Sequence, residues 1–273
     1  MTNIEWPFDL ISGSTVYPAL GGTAIGGIPG VSKVRLQGSN LAISNSLETL
    51  WAQGSGTYAA LTAAVAMEVV SGSANDAAAG TGARTVVVQY LNSSWDVVNE
   101  TVTLNGIAPV ALASTAIAVN NVYVATAGSG LVNAGNVDVR TVSGSTLKLR
   151  ISTVLGASLN KSQDFVYTIP NGYIGVLKSV HFSGITVTGD LTVVLESISS
   201  TGLRFGEGIG RTSLNNTGFN GAVGGVIDFG VGLYLPSKTA INAQAVNTAG
   251  AGAVTASADL FLLKKGLCPW VPA

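Results

Sequence analysis

The sequence predicts an all-β protein made of two β-sandwich or jelly-roll-like domains, preceded by an extended arm rich in Gly and Pro. From Arg84 onward, apolar and polar side chains alternate, which places every second side chain on one face of a sheet. Strand-like segments recur about every ten residues with Gly, Asn or Pro turns between them, as in sandwiches and jelly rolls. The chain has 273 residues, of which 47% are hydrophobic and 35 are Gly. This length suits one large or two smaller cores, and we expect two.

The predicted arm contains Gly and Pro too often for a regular element, as in Gly26-Gly27-Ile28-Pro29-Gly30. Trp6, Phe8 and Tyr17 give the arm apolar surface to dock either on its own core or on a neighbouring subunit, and both alternatives stay open. A short polar segment at residues 156–164 is the best candidate for a domain boundary. The predicted units are an arm (1–35), a first sandwich (36–156), a second sandwich (165–265) and a C-terminal tail (266–273).

A strand with a tight turn and a hairpin stand out in the first predicted sandwich. Val102 and Leu104 fall on one face of the strand, and Asn105-Gly106 then supplies the positive φ angles of the tight turn. The hairpin turns at Ser143-Gly144. Its apolar positions are Val137, Val139, Leu147, Leu149 and Ile151, and they alternate with Asp138, Arg140, Lys148 and Arg150. Before them, residues 59–70 fit a helix or a strand equally well.

The second predicted sandwich repeats the pattern of short apolar strands. Its five clearest strands are Val176 to Phe182, Leu191 to Ile198, Val226 to Leu235, Ala240 to Val246 and Val254 to Lys264. Gly, Asn or Pro turns separate them, which favours a sheet over a helical bundle.

Charge is scarce throughout the chain. Charged residues make up 10% of the sequence, against about 25% in typical domains, and the mean hydropathy is +0.46. A monomer with so few charges has little to keep it dispersed, so we expect much of its surface to be buried against partners. The net charge of −1 and the absence of a Lys/Arg run argue against nucleic acid as a partner.

The sequence also argues against a membrane partner or a secretory signal. The longest charge-free stretch, Thr101 to Val137, is interrupted by Pro109 and the Asn120-Asn121 pair. The first residues show no basic start followed by an apolar core, so we expect no signal peptide.

Residue types that carry catalysis are sparse. His181 is the only histidine and Cys268 the only cysteine, which leaves neither a general acid–base pair nor a Cys-based zinc site. The Asn75-Asp76 loop lacks the several carboxylates of an EF-hand-like calcium site. Gly206 to Gly210 lacks the lysine of a phosphate-binding loop. We therefore predict a non-enzymatic protein without metal or cofactor.

Several segments carry a resemblance to a known family. The most specific are Ser73 to Leu91, with Asn75-Asp76 followed by Gly80-Thr81-Gly82-Ala83-Arg84, and Asn99 to Gly106. Weaker ones are Val132 to Val137, Tyr167 to Tyr173 and Leu235 to Ile241. Over residues 45–264, the chain resembles virion structural proteins of tailed phages.

The resemblance implies a role in the virus particle, assembled in the host cytoplasm, and assigns no catalytic residues. The leading interpretation is a capsid decoration or cement protein, forming a homotrimer by analogy with capsid three-fold sites and contacting the major capsid protein. The alternative is a tail, baseplate or fibre-associated protein, including one that binds a host-receptor glycan through exposed loops. The predicted structural or interface residues are Trp6, Phe8, Tyr17, Arg84, Glu100 and Trp270, with Arg84 and Glu100 expected to pair across a hairpin.

Overall fold

The structure is a computed structural model of the chain. It describes residues 9–12, 15–18, 29–143, 145–154, 160–186, 190–201, 204–205, 211–215, 221–248 and 252–267. Within these ranges, all regular elements are strands and none is a helix, so the all-β prediction is confirmed. The described ranges therefore contain no helix that is long and apolar enough to cross a membrane.

Nineteen strands follow one another along the described parts of the chain. The first eleven are β1 (Asp9–Ser12), β2 (Thr15–Pro18), β3 (Val31–Ile43), β4 (Glu48–Thr49), β5 (Met67–Ser71), β6 (Ala83–Leu91), β7 (Val97–Thr103), β8 (Val110–Ala111), β9 (Ala118–Ala127), β10 (Val137–Thr141) and β11 (Leu147–Ile151). The remaining eight are β12 (Val166–Thr168), β13 (Tyr173–Thr186), β14 (Asp190–Ile198), β15 (Arg204–Phe205), β16 (Arg211–Asn215), β17 (Gly221–Leu235), β18 (Ala240–Asn247) and β19 (Gly252–Lys264).

Strands β5 to β11 form two antiparallel sheets, which we call the first sheet pair. One sheet has the order β11-β10-β5-β8 and the other the order β7-β6-β9. Both contribute side chains to one buried cluster, for example Val69 and Val139 from the first sheet and Val86 and Val122 from the second. The alternation of apolar residues along each strand places these side chains on the facing sides of the two sheets, where they form a common core.

The second sheet pair is built in the same manner from later strands. One sheet has the order β17-β13-β19-β3, and the other has the order β12-β18-β14-β15, with β16 also on β14 and β4 also on β18. Phe165, Leu177, Leu195 and Leu260 belong to their common buried cluster. All five strands that the sequence predicted here are confirmed, whereas the jelly-roll connectivity stays a prediction.

Strand β3 spans the predicted limit between the arm and the first sandwich. It is one continuous strand that pairs with β19, with Leu36 opposite Ala258. Gly38 lets this strand approach its surroundings closely, because a Cβ there would overlap the Leu50 carbonyl oxygen and the Phe165 backbone nitrogen. Local periodicity cannot reveal a partner more than 200 residues away, and the domain limits as a whole stay a prediction.

β10 and β11 form the predicted hairpin, whereas the predicted turn at Asn105-Gly106 connects β7 to β8, which belong to different sheets. Val102 and Leu104 are buried, and Gly106 has a φ of 62° at the turn. β10 and β11 pair with Asp138 opposite Arg150, and a bulge follows Val139. The segment that fitted a helix or a strand ends in strand β5.

Candidate functional site

The predicted pair of Arg84 and Glu100 is not formed. The register of β6 and β7 places Glu100 opposite Val88, four residues along the strand from Arg84. Arg84 Nε instead donates to the Gly80 carbonyl oxygen at 3.0 Å. Glu100 accepts a hydrogen bond from the Tyr90 hydroxyl at 2.9 Å and from the Ala113 backbone N–H. Both residues fix loops next to their strands, and the prediction failed because the sequence does not specify the register.

The other predicted interface residues lie in the terminal segments. Tyr17 is in β2, opposite Leu10 in the short hairpin formed with β1. Trp6, Phe8 and Trp270 lie outside the described residues. An interface role for these four residues stays a prediction.

Side chains of the types that carry out catalysis are few among the described residues. His181 is exposed, and its Nε2 lies 3.3 Å from Ser179 Oγ. No group of three or more His, Cys, Asp or Glu side chains that could hold a metal ion occurs in the described part of the chain. The candidate functional features are therefore surfaces and loops.

Asp76 is a fully buried carboxylate that joins loops of both sheets in the first sheet pair. Oδ1 accepts from the backbone N–H groups of Ala83 at 2.7 Å and Ala134 at 2.8 Å. Oδ2 accepts from the Gly135 N–H at 2.9 Å and the Ser71 hydroxyl at 2.5 Å. A carboxylate that accepts several N–H bonds is strongly stabilised. With both oxygens used in this way, Asp76 works as a structural link between loops.

The loops that Asp76 joins form a surface at one end of the first sheet pair, which we call the loop end. It consists of residues 71–82, 104–108, 128–136 and 152–154, which adjoin strand ends paired side by side. Further hydrogen bonds connect them, such as Gly128 N–H to the Gly82 carbonyl at 2.7 Å. The one charged residue in these four segments is Asp76, which is buried. The four segments thus expose no charged side chain of their own, and Arg84 reaches them from β6 through its bond to the Gly80 carbonyl oxygen.

Three loops of this surface each expose one large apolar side chain. Leu131 is 73% exposed, Val154 is 74% exposed and Ile107 is 68% exposed. Among the large apolar side chains in the described residues, these three are the most exposed. Single exposed apolar residues are ordinary, whereas apolar side chains gathered on one surface are typical of interaction sites, so the loop end is the candidate functional surface.

The backbone of Leu131 supports the same conclusion. Its φ is 61°, in the left-handed region that a Leu side chain occupies only at a cost of about 1–2 kcal/mol. Its carbonyl oxygen accepts a hydrogen bond from Asn160 Nδ2 at 2.8 Å, which holds the loop in this conformation. Strain of this kind clusters at functional sites, and Leu131 is the one non-Gly residue of the loop end that shows it, whereas Trp95, Ser145, Asn160 and Lys238 have a positive φ elsewhere.

Charged side chains are found instead at the junction of the two sheet pairs. Asp164 lies just before β12, and its carboxylate accepts from the Ala52 N–H at 2.8 Å and the Arg150 N–H at 2.9 Å. Burial raises the pKa of Asp164 to about 6, against the opposing effect of these two N–H groups and the Arg150 charge. Asn120 completes the junction, because its side chain hydrogen-bonds the N–H and C=O groups of Thr168.

Lys148 is buried at the same junction, although it lies on the outward-facing side of its strand. Nζ donates to the Ala59 carbonyl oxygen at 2.9 Å and lies 5.8 Å from the centre of the Tyr58 ring. Burial lowers the pKa of Lys148 to about 8 and raises that of Tyr58 to about 12. The segment that carries Ala59 and Tyr58 therefore covers the outer side of the β11-β10-β5-β8 sheet.

Neither region was predicted as a site from the sequence. Asp76 was a candidate metal ligand there, and Lys148 a polar residue on the outward side of a hairpin. The Gly- and Ala-rich sequence around Asp76 is a signal that could have indicated its role. In such loops a buried carboxylate accepts backbone N–H groups that have no partner in a strand. No local signal indicates that residues 58–60 cover Lys148, since that contact spans 89 residues.

Comparisons with known proteins identify no family for the chain. No family model matches it, and no curated protein does. Weak structural matches are the T13 particle of infectious bursal disease virus (TM-score 0.24, 10% identity, 87% of this chain and 70% of that chain) and the VP2 subviral particle of that virus (TM-score 0.18, 10% identity, 87% of this chain and 78% of that chain). Likeness at these TM-scores carries no argument about this chain.

Proposed function

We propose that the chain is a structural component of a virus particle, a capsid decoration or cement protein of the tailed-phage type. The observation that carries the proposal is the loop end, an uncharged surface with Ile107, Leu131 and Val154 exposed on separate loops. The proposal also draws on the resemblance of residues 45–264 to virion structural proteins. In this role the protein stabilises the shell by burying surface against neighbours.

Energetics favours burial of the loop end over its exposure to water. Burying a Val, Leu or Ile side chain contributes about 1.5–3 kcal/mol. An interface here removes little charge from water, because Asp76, the one carboxylate of these loops, is already buried and hydrogen-bonded. Arg84, which reaches the loops from β6, already donates to the Gly80 carbonyl oxygen. The partner surface is therefore expected to be uncharged as well, since an unpaired charge buried against these loops would lose its hydration.

The oligomeric state provides the first test. We expect light scattering on the purified chain at micromolar concentration to give a homo-oligomer, with the trimer as the specific expectation. Replacing the three exposed side chains together, by Ile107→Ser, Leu131→Asn and Val154→Ser, should shift the chain toward the monomer. Val226→Ser is a matched control, because Val226 is 51% exposed outside the loop end. A clean wild-type monomer, or equal effects of the triple variant and the control, would contradict this use of the loop end.

The position in the particle provides the second test. Electron microscopy of the virus that encodes the chain, with antibody labelling, should place it on the capsid shell. Labelling at the tail or baseplate would replace the decoration role by the tail-associated alternative. Absence from purified particles would overturn the structural role itself.

A further inference from the structure

A polar cleft lies on the first sheet pair, away from the loop end. It has a volume of about 390 Å³ and lies between residues 51–59 and the outer side of strands β10 and β11. This volume falls in the range of small-molecule sites, about 300–1,000 Å³. Asp138, Arg140 and Arg150 line its sheet side.

The two arginines of the cleft are held in place by carboxylates on neighbouring strands. Arg150 Nε and one terminal nitrogen bind Asp138 at 2.6 and 2.8 Å. Arg140 Nε binds Glu68 Oε1 at 2.7 Å, and its terminal nitrogens make no hydrogen bond to any residue that the structure describes. Arg140 thus presents two positioned N–H₂ groups at a surface where its side chain is 28% exposed.

The rest of the lining is rich in uncommitted polar groups. Gln53, Thr57, Ser145 and Thr146 all face the cleft, and their side chains form no hydrogen bond within the described ranges. Trp51 also lines the cleft but is 4% exposed, so its ring is unavailable for stacking on a ligand. Hydroxyl and amide groups together with a guanidinium suit a ligand that carries several hydroxyls and one carboxylate.

We propose that this cleft binds an acidic sugar unit, with the ligand carboxylate on the terminal nitrogens of Arg140 and its hydroxyls on the surrounding polar side chains. A planar guanidinium matches a carboxylate with two parallel hydrogen bonds, which an ammonium group cannot do. Arg150 and Asp138 neutralise each other, so they offer the hydroxyl groups of the sugar a donor and an acceptor. This binding site goes beyond the proposed structural role and does not depend on it.

The test is a titration of the full chain at neutral pH and low salt with four probes. Binding is measured by NMR or calorimetry. N-Acetylneuraminic acid and glucuronic acid represent the two sources of a sugar carboxylate. Galactose tests hydroxyls without a carboxylate, and inorganic phosphate tests charge without a sugar. We expect one or both acids to bind saturably, and galactose and phosphate to bind at least about ten-fold more weakly. Galactose lacks the charged hydrogen bonds to Arg140, and phosphate lacks the hydroxyls that the surrounding polar side chains would bind. The acid that binds more tightly identifies the source.

Two matched variants locate the site. Arg140→Lys keeps the positive charge and the pairing with Glu68 but loses the two-pronged donor, so we expect at least about ten-fold weaker binding of the acid. Arg35→Lys is the control, because Arg35 is also paired with a carboxylate, Asp259 at 3.0 Å, on a sheet of the second pair. Thermal unfolding of both variants checks that they fold. Failure of both acids to bind, equal binding of phosphate, or unchanged binding by the Arg140→Lys variant would each overturn the proposal.

Discussion

The loop end and the junction of the sheet pairs are each organised by a buried aspartate that accepts backbone N–H groups, yet they differ in what surrounds it. At the loop end, Asp76 is the one charged residue of the four segments, and the side chains facing water are uncharged, both apolar, such as Leu131, and polar, such as Asn75. At the junction, Asp164 has Arg150 and Asp138 nearby, and Lys148 is buried under residues 58–60. The chain therefore places part of its few charges inside, where they order loops.

This difference indicates two separate tasks. The junction holds the two sheet pairs together, because its hydrogen bonds connect β9 and β11 with residues next to β12 and β4. The loop end keeps four loops in place while their apolar side chains stay exposed. Rigid loops lower the entropy cost of binding a partner, which agrees with an interface at that end.

The largest expected effect comes from breaking the loop end at Asp76. Asp76→Ala leaves three buried or half-buried backbone N–H groups and the Ser71 hydroxyl without their acceptor. We expect the free energy of unfolding to fall by about 3–5 kcal/mol, since each unpaired buried group costs about 1–3 kcal/mol. Urea unfolding measures this loss in the free energy of unfolding. The control is Asp96→Ala at an exposed carboxylate, expected to stay within about 0.5 kcal/mol. A loss below about 1 kcal/mol at Asp76 would contradict its role.

The second prediction concerns the pH dependence of the junction. The pKa of Asp164 is raised from 3.8 to about 6 in the folded chain. Because the folded state then holds the proton more tightly than the unfolded state, the stability contributed by this group falls as the pH rises from about 4 to 6, by about 3 kcal/mol. Asp164→Asn removes this contribution. Urea unfolding at pH 4.5 and pH 7 should therefore show a smaller difference in the variant than in the wild type, and an unchanged difference would contradict the assignment.

The smallest expected effect is at Lys148. Because burial lowers its pKa from 10.5 to about 8, the folded state binds its proton less tightly than the unfolded state, and stability from this group rises with pH between about 8 and 10. Lys148→Met keeps the apolar stem and removes the buried charge, so we expect a gain of about 1 kcal/mol at pH 7. Urea unfolding at pH 7 and pH 9.5 measures the gain and its loss at high pH. A clear destabilisation at pH 7 would show that the bond to the Ala59 carbonyl and the contact with the Tyr58 ring outweigh the burial of the charge.

Much of the fold was predictable from local patterns. The all-β class, the Val102 and Leu104 strand with its turn at Gly106, the β10–β11 hairpin and the five strands of the second sheet pair all follow from alternation and turn residues. These features depend on neighbours within a few residues, so the amino-acid order is sufficient to determine them. The scarcity of charge, and with it the expectation of a buried surface, is likewise a property of composition.

The tertiary structure alone decided the partners of these local elements. It placed β3 beside β19, separated Arg84 from Glu100 and covered Lys148 with residues 58–60. It also collected Ile107, Leu131 and Val154 around the loops joined by Asp76. Each of these outcomes depends on strand register or on contacts between distant segments. Both are set by the packing of whole sheets. The energy of that packing is shared among many side chains, so no short segment of the sequence specifies the register or the distant contacts.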